Sequence, residues 1–345
     1  MVKYTIKRLL LAVVTTFIIL TATFFLMKML PFSKAVGQEA MRLTYYLDQT
    51  NKGFVLDFTS EQSGYGTMLE HFRDASGVDH YFYVRPAWQQ YISWLNGVVH
   101  GDWGTSSSIM LGVDVVKIIG SRLPLTIKIN IWSVLISVPA GLGLGIWAAL
   151  KKNTMTDHII STLVMIFISI PSFIIITFLM KWLAYDTGWL PSQWSVAKGT
   201  SFGVAVRSYV IPVMALSFGS ICGYTRFTRA ELTEVMSSDY LLLARTKGLT
   251  KNQTIVRHAL RNAMVPILPS ILSEVIGLLS GSMILESLYG ISGIGSLYIL
   301  AVNSNDYNVL MADMAFYTII GLVAGVFLDL SYGFIDPRIR MGAKK

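Results

Sequence analysis

Long apolar runs separated by shorter polar ones dominate this chain. Six stretches of about 20 residues or more carry only an occasional charge, near 9–30, 123–149, 158–184, 208–228, 265–287 and 313–335. An α-helix rises 1.5 Å per residue, so each stretch can cross a hydrocarbon core of roughly 30 Å. The pattern predicts an all-α membrane protein with six transmembrane helices. Pro139, Pro171 and Pro212, with Gly141, Gly143, Gly145, Gly277 and Gly281, fall inside these spans. Membrane bundles tolerate such residues, and small ones let helices approach closely.

Two segments lie outside the predicted spans. Residues 31–122 mix aromatic and polar residues, and residues 229–264 form a shorter loop of helical character. The expected organisation is an anchor helix at 1–30 and an extramembrane segment at 31–122. A five-helix domain follows at 123–335, with its loop at 229–264, and then a tail at 336–345.

Composition agrees: 53% of residues are hydrophobic and 14% charged, against roughly 25% charged in soluble domains. The net charge of +8 raises nucleic acid as a partner, but the cations cluster at the ends of apolar stretches. That placement marks membrane orientation instead. Lys3, Lys7 and Arg8, Lys151 and Lys152, the basic residues of 229–264, and Arg338, Arg340, Lys344 and Lys345 all fall on one side, while 288–312 holds no Lys or Arg. Both termini are therefore expected in the cytoplasm, and 31–122 is expected to be extracytoplasmic. The start resembles a signal peptide, but its apolar run is long and no small-x-small cleavage site precedes Pro31, so an uncleaved anchor is expected.

Recognisable catalytic chemistry is not expected. The chain has no Gly-x-x-x-x-Gly-Lys-Ser/Thr loop, no His-Glu-x-x-His, and a single cysteine, Cys222. His71, His80, His100, His158 and His258 are scattered without ligand spacing. Neither a metal site nor a cofactor is expected in this chain, and any ATP and Mg must be bound by partner subunits.

The loop at 229–264 is the most informative segment. Ser238 or Asp239 can cap a short helix from Tyr240 to Lys247, and Gly248 suits the left-handed position that ends it. Thr250 with Gln253 makes a capping box for a second helix. Leu241, Leu242 and Ala244 give the first helix an apolar face, and Arg245 and Lys247 give it a cationic end. A helix this short is marginal alone and suits docking into a partner's groove.

This stretch resembles the coupling loop of binding-protein-dependent ABC importer permeases, with Ala244 and Gly248 on the signature Ala and Gly. Leu242 replaces the usual Glu, and the long spacing to Pro266 resembles the oligopeptide/dipeptide branch. Further matches run in order: Tyr91-x-x-Trp94, Gly101-Asp102-x-Gly104-Thr-Ser106, Arg122-Leu-Pro-x-Thr126, Arg226-x-x-Arg229, and Arg257-His-Ala-Leu-Arg-Asn262. Glu286 with Tyr289, Gly293-x-Gly295 and Asp336-Pro-Arg338 complete them. Residues 84–340 are covered, while about 32–66 look like an insertion, expected to face outward toward the binding protein or the pathway mouth.

The resemblance implies a type I ABC importer permease fold in the cytoplasmic membrane of a bacterium. It implies a second homologous permease subunit, two ABC ATPase subunits, an extracytoplasmic peptide-binding protein and a peptide substrate, within a lipid bilayer and with no nucleic acid. Relatives in this branch also carry nickel chelates, haem or signalling peptides. The implied coupling residues are Asp239, Tyr240, Leu243, Ala244, Arg245, Lys247, Gly248 and Leu249, and the pathway candidates are Glu274 and Glu286. A carboxylate at the middle of a span would cost roughly 2–3 kcal/mol facing lipid, so Glu274 is expected to face the pathway or another helix. A proton-driven peptide transporter is the first rival, but it calls for more spans, often as repeats, and ionisable relays. A membrane-anchored receptor is the second, and it needs no helix–glycine–helix unit.

Overall fold

The computed structural model describes residues 2–62, 64–197 and 199–335. It divides into two compact units. One holds the described residues within 1–123 and 296–322, the other those within 124–295 and 323–335. Residues 296–322, read from sequence as part of the five-helix domain, thus group with the N-terminal segment.

In the first unit, α1 (Val2–Lys28) exposes Leu10, Val13, Val14, Phe17 and Ile18 along much of its length, as a helix surrounded by lipid would. Near its end Phe24 is buried against Tyr91 and Trp94 of α3 (Ala87–Val99), with ring centroids 5.4 and 5.1 Å away. Between them lie α2 (Glu39–Asn51) and the strands β1 (Val55–Phe58), β2 (Met68–Arg73) and β3 (Asp79–Val84).

The strands form an antiparallel sheet of order β1-β3-β2. Asp74 shapes the β2–β3 turn by accepting the backbone N–H of Ser76 (2.9 Å) and of Val78 (2.8 Å), and Gly77 supplies a φ of +85°. Tyr46 of α2 stacks on Phe82 at 5.2 Å, over a core that includes Val55, Leu69 and Phe72. The chain is mostly helical, and this sheet is where it departs from the all-α expectation. Because β1 pairs with β3, the sheet also runs across the boundary read at residue 66.

The second unit is built on α4 (Val115–Leu150, which starts in the first unit) and α7 (Phe202–Met236). An alanine Cβ at Gly141 would lie 2.9 Å from Ile221 O, and one at Gly145 would lie 2.8 Å from Thr225 O. The two glycines therefore let the backbones of α4 and α7 meet directly. Around them pack α5 (Met155–Ile168), α6 (Ser172–Leu179, continued by π-helical turns over Met180–Asp186) and α10 (Leu260–Gly277). Ile129, Ile176, Leu179, Ile211, Ala215 and Tyr289 form the main core.

Two spans read as continuous are broken. The segment 158–184 bends by 96° between α5 and α6 at Pro171, because proline removes a donor and disfavours helical backbone in the residue before it. The segment 265–287 ends its helix at Gly277. After Gly281, in a left-handed conformation, Ser282 caps a separate short helix, α11 (Met283–Tyr289). The chain continues through α12 (Ile294–Asn303) and α13 (Tyr307–Ile335). Among the described residues five helices are long and apolar enough to cross a bilayer, rising to seven if each of two bent pairs is a span.

Candidate functional site

The helix–glycine–helix unit forms with small shifts from its sequence reading. The first helix, α8, spans Asp239–Thr246, with Ser238 at its N-cap. Ser238 donates its hydroxyl to Val235 O (2.5 Å) and does not cap the helix through its side chain. Gly248 has φ +90° and donates its N–H to Arg245 O (3.0 Å), closing the helix. Thr250 and Gln253 form the reciprocal capping box, starting α9 (Lys251–Thr254), which runs through a π-helical turn at Ile255–Ala259 into α10.

The apolar face differs from the one expected. Leu241 is buried with Ala149, Leu232, Ala259 and Ala263, and Ala244, three residues on, is half-buried. Leu241 turns toward the chain's own helices. The exposed apolar residues are Tyr240, Leu242 and Leu243, with Arg245 and Lys247 exposed beside them and Leu249 half-buried. A straight-chain reading cannot place the inward stripe of an eight-residue helix, because two turns give too few positions to fix its rotation.

A second group of motif residues converges into one clasp. Glu286 of α11 is buried and accepts the Thr126 hydroxyl (3.0 Å), while Thr126 Oγ1 accepts the backbone N–H of Ile294 (3.0 Å). A Cβ on Gly293 would lie 2.3 Å from Glu286 Oε2 and 2.4 Å from Thr126 Oγ1, so only glycine fits there. Tyr289, fully buried, donates its hydroxyl to Pro191 O (2.8 Å), and its own carbonyl accepts the N–H of Trp194 (2.8 Å). Thr126, Glu286 and Gly293, from three separate motifs, thus make one joint, and Tyr289 ties the same short helix to Pro191 and Trp194. Buried in this way, Glu286 ties α11 to α4.

Glu274 is different. It is half-buried beside a cavity of about 180 Å³ also lined by Asn130, Ser133, Ser220 and Gly277, and the Ser137 hydroxyl reaches it at 3.5 Å. Arg229 pairs with Asp157, donating from a terminal nitrogen to Oδ2 at 2.7 Å, and Asp157 also accepts the N–H of Asn153. Arg226 is exposed. Asp336, Pro337 and Arg338 lie outside the described residues.

In the first unit the structure reveals a contact that motif reading missed. Asp306, fully buried, accepts the Ser106 hydroxyl (2.5 Å) and the backbone N–H groups of Ser107, Ser108 and Ile109 (3.0–3.1 Å) through one oxygen. Asn308 donates to Thr105 O (2.8 Å). The motif ending at Ser106 is thus a nest for a carboxylate 200 residues away. An Asn-Asp pair just before a long apolar run was the available signal.

Residues 141–341 match the family model described as binding-protein-dependent transport system inner membrane component. The dipeptide transport system permease protein DppB of Lactococcus lactis is 32% identical over 342 residues, covering 99% of this chain and 100% of that protein. DppB of Bacillus subtilis is 31% identical over 345 residues, covering all of both chains. The oligopeptide transport system permease protein OppB of Escherichia coli K12 is 29% identical over 340 residues, covering 99% and 100%. A solved amino acid ABC transporter with histidines aligns at TM-score 0.48 and 19% identity, over 63% of this chain and 94% of that one.

The chain belongs to the family of binding-protein-dependent transport inner membrane components, among its oligopeptide/dipeptide ABC permeases. As such it is a multi-pass protein of a bacterial inner membrane and a transport permease, not an enzyme.

Proposed function

We propose that this chain forms half of the translocation pathway of an ATP-driven peptide importer and couples that pathway to partner ATPases. A second homologous permease supplies the other half. Two ATPase subunits bind ATP and Mg and hydrolyse ATP, and an extracytoplasmic binding protein delivers the peptide. Six spans with both termini in the cytoplasm fit the distribution of lysines and arginines, and 31–122 then faces outward. Glu274, beside a cavity lined by Asn130, Ser133 and Ser220 together with Val134, Leu216 and Leu278, and Glu286 are the pathway candidates within this reading.

The observation that carries the proposal is the exposed edge of α8. Leu241 seats the helix on its own chain, while Tyr240, Leu242 and Leu243 are left uncovered beside Arg245 and Lys247. A short helix with one side anchored and an apolar side free suits insertion into a partner's groove. Gly248, with its left-handed backbone, sets the angle at which the helix leaves the next one. ATP-driven movement of a groove around α8 would then pass through Gly248 and the capped start of α9 into α10.

The test is co-purification with the partner ATPases. The native chain should retain two ATPase subunits through detergent extraction. Leu242→Asp and Leu243→Asp should each weaken that association about tenfold while leaving insertion unchanged. Full retention of the ATPases by both variants would exclude α8 as the docking element.

A further inference from the structure

A cavity of about 460 Å³ opens within the first unit, beside the C-terminal end of α1. Its lining combines apolar Phe32, Phe54 and Val84 with cationic Lys28 and Arg85, and no Asp or Glu contributes to it. The Lys28 ammonium lies 5.3 Å from the ring centroid of Phe24, 5.7 Å from Phe32 and 5.8 Å from Phe54. Aromatic faces attract an ammonium without accepting its three N–H groups as oxygens would.

Among the described residues no carboxylate pairs with Lys28 or Arg85, and the buried Nε of Arg85 has no hydrogen-bond partner. Gln90, 2% exposed, also lines the cavity. Its Nε2 donates to the Arg85 carbonyl at 2.7 Å, which fixes the amide, and its Oε1 is left without a donor. Buried polar groups are normally satisfied, so two unfilled ones beside an ammonium faced only by aromatic rings, around a single cavity, point to a missing occupant.

The unfilled groups define that occupant's chemistry. Two cations call for an oxyanion, the glutamine oxygen calls for an N–H, and the apolar lining calls for a hydrocarbon side chain. A carboxylate, an amide N–H and a side chain meet on one carbon at the C-terminus of a peptide. We propose that this cavity binds the C-terminal residue of a peptide, with Lys28 and Arg85 on its carboxylate, Gln90 Oε1 on its amide N–H, and Phe32, Phe54 and Val84 around its side chain. The proposal deepens the peptide-importer reading, on which it rests for the natural ligand. It gives the chain a peptide contact of its own, separate from α8 and from Glu274.

The test uses the full chain in phosphatidylcholine nanodiscs, titrated calorimetrically with N-acetyl-Ala-Leu bearing a free carboxylate and with the same peptide as its C-terminal amide. The acid should bind, and the amide should bind about tenfold more weakly or worse. Arg85→Gln and Lys28→Gln should each weaken the acid by a similar factor, and Arg85→Lys should keep more of the affinity. No binding, equal binding of acid and amide, or unaltered affinity in both glutamine variants would overturn the assignment. Acid binding that is absent in the nanodiscs but present in phosphate-free detergent micelles would also overturn it, by showing that a lipid headgroup phosphate, which phosphatidylcholine carries, is the occupant. The acid–amide comparison uses the native chain and does not depend on any variant folding. Peptide binding is read without ATPases present, so its failure is distinct from a failure of ATPase association.

Discussion

Replacing Gly293 with alanine puts a methyl group into the most crowded point of the Thr126–Glu286 clasp. The added carbon would lie 2.3 Å from Glu286 Oε2, 2.4 Å from Thr126 Oγ1 and 2.5 Å from Glu286 Cδ. Nothing there is the loose end of a flexible side chain. The carboxylate is held by Thr126, and Thr126 by the backbone N–H of Ile294. Relief requires opening both hydrogen bonds, at about 0.5–1.5 kcal/mol each, on top of about 1–3 kcal/mol of overpacking strain. The sum is about 2–6 kcal/mol, and the lower half of that range is expected, because hydrogen bonds within membrane proteins contribute modestly. The assay is unfolding of the purified chain in mixed detergent micelles, followed by tryptophan fluorescence. Gly143→Ala, where an added Cβ meets nothing within 4 Å, serves as the control and should be neutral or up to about 1 kcal/mol stabilising. Equal stability of Gly293→Ala and the native chain would refute the clasp as a structural joint.

Two further outcomes follow from the same geometry. Asp157→Asn should destabilise the chain by about 2–3 kcal/mol, below the full cost of breaking a buried pair because Arg229 remains 32% exposed. The double variant Asp157→Asn with Arg229→Gln should lose clearly less than the two single losses summed, and strict additivity would contradict the pairing. His80 in β3 titrates above the ordinary imidazole value, chiefly because the Asp57 carboxylate accepts its Nδ1 hydrogen at 2.7 Å, with Asp74 3.7 Å from Nε2. A raised folded value means the stabilisation is complete below the unfolded value of about 6.5 and is lost as pH rises through the folded one. Amide exchange in β3, corrected for its intrinsic pH dependence, should therefore be slower at pH 6 than at pH 8, and His80→Gln should remove the difference.

Much of this structure is legible in the sequence, and the misses share a physical origin. Apolar runs of about 20 residues reveal helices, because in lipid the backbone must satisfy itself within the segment. The Thr250–Gln253 capping box and the left-handed Gly248 were readable because both are local, set by residues three or fewer apart. Pro171 and Gly281 were visible too, but whether such residues kink a span or end it depends on what packs beside them. The hairpin of β2 and β3 carried a turn signal at Asp74 to Gly77, hidden by the aromatic and polar mixture around it. Most opaque were contacts between distant positions. Nothing near Ser106 announces Asp306, and nothing near Glu286 announces Thr126. A motif is visible locally, yet what it touches is decided by the fold.

The importer reading needs Gly248 as well as the exposed edge of α8, and one measurement tests it directly. At φ +90° a branched side chain costs about 1–2 kcal/mol, although a Cβ there meets nothing within 4 Å. The penalty is thus one of backbone angle and not of space, and asparagine, which visits the left-handed region, should be tolerated. The measurement is peptide uptake together with binding-protein-stimulated ATP hydrolysis in proteoliposomes holding the complete complex. Gly248→Val should assemble normally yet lose uptake and stimulation, while Gly248→Asn keeps most of both. Full uptake and full stimulation in Gly248→Val would show that α8 and its glycine do not carry the motion of the ATPases.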